Sequence, residues 1–225
     1  LMPEEVIKAM VEASKTFVDI HQLQQTVGQR LAELTWNEAA NVICGAATDL
    51  LLATAGSIEK KSKNAYERFP QWGIISNEVI VQKMHRNSYD HAILESGASI
   101  VEIGNQNQTL PHELENAIST QTIAVFWFQG AMNQPSELSL DQMIEICRPK
   151  NIPVIVDAAA QLPPASNFWN FTHQGADLAI FSGGKDLSGP QASGLILGSK
   201  ELIEIISGLG APHHGIGRPM KVGKE

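Results

Sequence analysis

The chain has 225 residues, of which 43% are hydrophobic and 18% charged, and carries a formal net charge of −8. That length can bury a full core in one or two domains, and the acidic balance argues against a nucleic-acid-binding surface, which is normally basic. With Cys44 and Cys147 its only cysteines, no leader-like start and no apolar run of membrane-spanning length, the chain reads as a cytoplasmic protein with free thiols and no membrane contact.

In chain order, PEEVIKAMVEAS opens with Pro3, Glu4 and Glu5, a good helix start. A second, mostly polar helix is expected over 17–34, and Thr35 with Glu38 resembles a capping box. Gly45 then introduces AATDLLLATAG, an apolar helix. The short β-branched runs EVIVQK, SIVEI, TIAVFWF, PVIVD, DLAIFS and GLILG predict strands, with HELENAIS and SLDQMIEICRP as helical segments between them. This alternation predicts a three-layer α/β/α fold with a mostly parallel, doubly wound sheet. Ligands of such sheets bind beyond the carboxyl ends of the strands.

Two of those ends carry chemistry. Asp157 closes PVIVD, and Lys185 follows DLAIFS in a loop crowded by Ser182, Gly183, Gly184, Gly189 and Gly194. An enzyme of pyridoxal 5'-phosphate (PLP) needs such a pair. The lysine amine forms a Schiff base with the cofactor aldehyde, and the aspartate keeps the pyridine nitrogen protonated so that the ring acts as an electron sink. A surface lysine and a strand-end aspartate are the plain alternative, but small residues around the lysine suit close approach of backbone to a ligand. Gly45, Ala46, Ala47 and Thr48 stand at a helix start, where backbone N–H groups and the helix dipole can hold a phosphate. Alone, that string would read as a tight turn. Cys147 reads as a small core residue. His213 and His214 lack the further ligands that a metal site needs, so no metal is expected.

The string FSGGKDLSGPQASGLILGS resembles the lysine loop of fold-type I PLP-dependent enzymes. With VIVQKMHRNSYDHAILESGASIVEIG and GIGRPMKVGKE, it is more similar to the selenocysteine-synthase-like group. That group includes seryl-tRNA(Sec) selenium transferase and D-glucosaminate-6-phosphate ammonia-lyase. The resemblance runs over nearly the whole chain and implies a PLP-binding large domain over 1–225. Within it, 1–34 are N-terminal helices suited to a subunit interface, and 208–225 begin the link to a small C-terminal domain that the chain lacks.

The resemblance also assigns roles. Ser182 would add a hydroxyl to the phosphate site, and His85 would stack on the pyridine face and relay a proton. Arg218 would meet a substrate carboxylate or phosphate, and Arg86 is a further candidate for an anionic substrate. Where many relatives place glutamine after the aspartate, this chain has Ala160, with Gln161 one position on; Gly184 replaces the histidine of the cysteine-desulfurase branch. The expected activity is that of a PLP-dependent lyase. Lys185 would abstract the Cα proton, and a β-substituent would leave an amino acid or amino sugar acid. A transferase acting on seryl-tRNA, disfavoured by the acidic balance, and a non-catalytic remnant are the alternatives. Val6, Ile7, Met10, Val11, Phe17, Ile20 and Leu23 suggest a homodimer or larger homo-oligomer, unless they pack on their own sheet.

Overall fold

The computed structural model describes residues 1–68, 75–130 and 136–225. Two helices come first, α1 (Glu4–Ser14) and α2 (Ile20–Thr35). Asp19 caps α2 by accepting the Gln22 N–H, and Trp36 ends it in the left-handed conformation. The expected capping box at Thr35 is therefore not formed. Thr35 is the last residue of α2, with its hydroxyl donating to the Leu31 carbonyl. Trp36 turns the chain out of the helix and towards a strand, β1 (Ala39–Ile43). Glu38 instead accepts the Lys200 N–H at the start of the last helix.

The remaining elements are α3 (Ala46–Lys61), β2 (Glu78–Gln82), α4 (Asp90–Glu95), β3 (Ser99–Ile103), α5 (Pro111–Ala117), β4 (Thr122–Phe128) and α6 (Leu140–Cys147). Then come β5 (Val154–Asp157), α7 (Asn167–Gln174), β6 (Leu178–Ser182), β7 (Gly194–Gly198) and α8 (Lys200–Leu209). All six predicted strands form, and β1 joins them at one edge. The sheet order is β1-β7-β6-β5-β4-β2-β3. Strands β2 to β6 pair in parallel, whereas β7 runs antiparallel to both β6 and β1. Each parallel step uses a crossover; β7 follows β6 through the lysine loop alone, which returns the chain antiparallel.

The period-two alternation of the strands sorts their side chains between two layers. Val79, Val81, Phe126, Ile155, Ile180 and Ile196 face the layer built by α3, α4 and α8. Ile80, Val125, Val156, Phe181 and Leu197 face α5, α6 and α7. Helix α3 is buried along most of its length from Asp49 to Ile58, as an all-round apolar helix should be. Cys147 lies in the other layer, where burial pushes its thiol up to about 12. Helix α1 buries none of its residues, and Ile7, Val11 and Phe17 stay exposed; these side chains do not pack on the sheet. Among the described residues, no helix is long and apolar enough to cross a membrane.

Candidate active site

The sheet register assembles the first part of the site. Gly194 pairs with Ile43 on one side and Ser182 on the other. The chain leaves β1 through Gly45, at a φ of 142° that L side chains rarely adopt, and enters α3. A Cβ on Gly194 would lie 2.5 Å from the Gly45 carbonyl carbon and 2.8 Å from the Ala46 nitrogen. Only glycine lets β7 come this close to the start of α3. Gly45, Ala46, Ala47 and Thr48 are thereby brought to the same corner of the sheet as Ser182. Among the described residues, no side chain caps α3, which leaves its first-turn N–H groups suited to an anion. The Thr48 hydroxyl is 3.2 Å from the Cys44 sulfur.

Beside this corner lies a cavity of about 240 Å³ lined by His85, Tyr89, Phe128, Asp157, Ala160 and Lys185, among others. Asp157 continues the Ile155 face of β5, and its Oδ1 accepts the Ala159 N–H at 2.9 Å. Burial raises the Asp157 pKa, while the Ala159 N–H and the charge of Lys185 pull it back. His85 is buried at the end of a short 3-10 turn after β2. Its Nε2 is 2.9 Å from Glu137 Oε2, and the Phe128 N–H points at Nδ1 across 3.4 Å. Both ring nitrogens are engaged within the protein. That suits a ring offering its face.

Three other candidates fall outside the cavity. The Arg86 guanidinium donates through Nε to Asp90 and through NH1 to Glu102 at 2.7 Å. Nε and NH1 thus serve two carboxylates of its own chain, and Arg86 does not line the cavity. Arg218 NH1 donates to the Pro212 carbonyl at 3.1 Å, within its own loop; it does not line the cavity. Gln161 holds the Gln129 carbonyl through Nε2 at 3.0 Å, and Ala160 takes the cavity wall.

Sequence reasoning missed two residues. Asp49, in the first turn of α3, is fully buried, and neither carboxylate oxygen has a hydrogen-bond partner among the described residues. Burial, reinforced by the charge of Asp157, pushes its pKa well above the ordinary carboxylate value. A neutral carboxyl there is compatible with a phosphate nearby, whereas an ionised one would repel it. The other is Glu137, which reaches His85 from far along the chain. No signal in the sequence marked either one.

An anion cradle at a helix start, a strand-end carboxylate, a loop lysine and a flat ring at one place fit PLP. The seven-stranded sheet with this arrangement at its carboxyl edge is the fold of fold-type I PLP-dependent enzymes. Residues 4–222 match the family model described as SelA: L-seryl-tRNA selenium transferase, and the chain belongs to that family. It is 35% identical to a 5'-C-glycyluridine monooxygenase-decarboxylase of Streptomyces sp, over 100% of this chain and 56% of that protein. It is 31% identical to the D-glucosaminate-6-phosphate ammonia lyase of Salmonella typhimurium (strain 14028s / SGSC 2262), over 98% of this chain and 59% of that protein. A solved structure of D-glucosaminate-6-phosphate ammonia-lyase superposes with a TM-score of 0.89 at 30% identity, covering 99% of this chain and 60% of the other. The aspartate aminotransferase of Thermotoga maritima shares the fold, with a TM-score of 0.62 at 17% identity, over 92% of this chain and 58% of that one. The chain thus spans less than two thirds of the length of these relatives.

Proposed function

We propose that the chain is the PLP-binding part of a lyase that eliminates a β-substituent from an amino acid or amino sugar acid. The observation that carries this reading is the convergence of Lys185, Asp157 and His85 on one cavity, with Asp157 near enough to Asp49 in the first turn of α3 for their charges to interact. When bound, PLP supplies an electron sink for the charge left at the substrate Cα. The start of α3, with Ser182, binds the phosphate. Asp157 would hold a proton at the ring nitrogen, and His85 would restrain the ring. Lys185 Nζ would be the amine that holds the cofactor and, once a substrate amine has taken its place, the base that accepts the Cα proton. The structural match to an ammonia-lyase over nearly the whole chain supports elimination. The exposed Ile7, Val11 and Phe17 support assembly as a homodimer or larger homo-oligomer.

The test is to add PLP to the purified chain, fix it with borohydride and locate the label. The expected result is a yellow protein labelled at Lys185. A chain that takes up no PLP would be a non-catalytic remnant, and the reading would fall. Ammonia release from amino acids and amino sugar acids then checks the elimination. Oxygen-dependent release of carbon dioxide would favour chemistry like that named for the Streptomyces relative. Retention on seryl-tRNA at physiological salt would favour the transferase.

A further inference from the structure

His85 is placed by a relay of contacts that begins in the sheet. Gln82, the last residue of β2, is fully buried. Its amide donates to the Leu138 carbonyl at 2.9 Å and accepts the Leu138 N–H at 2.8 Å. This reciprocal pair pins the backbone next to Glu137 against the end of β2. The Glu137 carboxylate then meets His85 Nε2 at 2.9 Å, with the two side chains only 11% and 2% exposed. On the opposite edge of the ring, the Phe128 N–H faces Nδ1. A backbone N–H can only donate, so this long contact favours a lone pair on Nδ1, and the Glu137 carboxylate, which can only accept, favours the proton on Nε2. Trp127 meets the ring edge-on, with centroids 5.9 Å apart. The ring plane is therefore set by protein groups alone.

The geometry points to Glu137 as a positioning residue: together with the Phe128 N–H, it holds His85 as the neutral Nε2–H tautomer and turns an uncharged, flat face to the cavity. The use of that face rests on the proposed PLP chemistry; the tautomer does not. With PLP bound, the neutral form matters for charge. Asp157 would keep the cofactor ring nitrogen protonated, and an imidazolium laid on such a ring would set two positive charges face to face in a poorly solvated place.

The test uses the whole 225-residue chain, first without PLP, labelled with 15N at its seven histidines. The His85→Gln spectrum identifies the His85 signals. A protonated Nε2 with an unprotonated Nδ1 is expected. Glu137→Ala should replace that signature by a mixture of tautomers. Glu137→Gln should keep it, because the amide oxygen accepts the same proton. PLP binding should weaken about tenfold in Glu137→Ala and stay within about twofold of the parent in Glu137→Gln. An imidazolium or an Nδ1–H tautomer in the parent overturns the proposal, as does a Glu137→Ala variant with the parent signature. If Glu137→Ala does not fold, Glu137→Asp, which withdraws the carboxylate by one methylene, must shift the signature instead. Failure of PLP to bind any of these proteins would overturn the functional reading and leave the tautomer result standing.

Discussion

The two walls of the cavity are held in opposite ways. The His85 wall, at the ends of β2 and β4, depends on buried side-chain bonds, from Gln82 to Leu138 and from Glu137 to His85. The lysine wall depends on backbone. Gly183 donates to the Ser193 carbonyl at 2.8 Å, Gly189 to Gly183 at 2.8 Å and Ser188 to Lys185 at 2.9 Å. Lys185 itself is exposed, and Gly194 touches α3 because it has no side chain. One wall needs particular polar groups; the other needs particular absences. Loss of a partner should damage the first, and gain of an atom should damage the second.

The largest effect is expected from Gly194→Ala. Its Cβ would meet the Asp49 carboxylate and the backbone of Gly45 and Ala46, which can give way only by moving α3 off the sheet. We expect a loss of about 3 kcal/mol or more in denaturant unfolding; a loss under about 1 kcal/mol would show that the wall yields. Gln82→Ala tests the other wall. It leaves the Leu138 N–H and carbonyl without their buried partner and should destabilise by about 2–3 kcal/mol. Asp49→Asn should act in the opposite direction. Burial and Asp157 raise the Asp49 pKa above its ordinary 3.8, so the folded chain keeps a proton that the unfolded chain gives up. That contribution is lost as pH rises above about 4. The variant should therefore gain on the order of 1 kcal/mol over the parent at pH 8 and nothing at pH 4, measured as melting curves at both values. The smallest effect on stability is expected from Lys185→Ala, within about 0.5 kcal/mol because the side chain is exposed. The same variant should lose all borohydride fixation of PLP, which separates the function of that wall from its support.

Much of this architecture was legible in the sequence because the central strands are continuous β-branched runs, a pattern that fully buried parallel strands share. Strand β1 was not legible. Its Ala-Ala-Asn start carries no strand signal, and Thr35 with Glu38 imitated a helix start. The placement of Asp157 and Lys185 at the sheet edge could be read because one closes a strand and the other follows one closely, so position along the chain translates into position at that edge. The partners of Arg86 could not be read. Its charge is matched by Asp90 one turn on and by Glu102 on the neighbouring strand β3, and only folding brings the second to it. Glu137 stands 52 positions from His85, joined to it through Gln82, a contact that no local pattern encodes. Asp49 was hidden for a different reason: a lone acid in an apolar helix start looks like a favourable charge for the dipole, and only burial reveals its cost.

Asp157 reaches the α3 layer because it stands two positions after Ile155 on a strand whose side chains alternate. Removing one residue from β5 would carry the carboxylate to the opposite layer, among α5, α6 and α7, with its chemistry intact and its address lost. Exchanging Ile155 for Val or Leu would cost some packing and leave that address unchanged. The strand thus behaves as a reading frame. Substitutions edit the words of the site one at a time, whereas an insertion or deletion garbles the sentence, so drift in this protein should be accepted as replacements within its strands and as changes of length only between them.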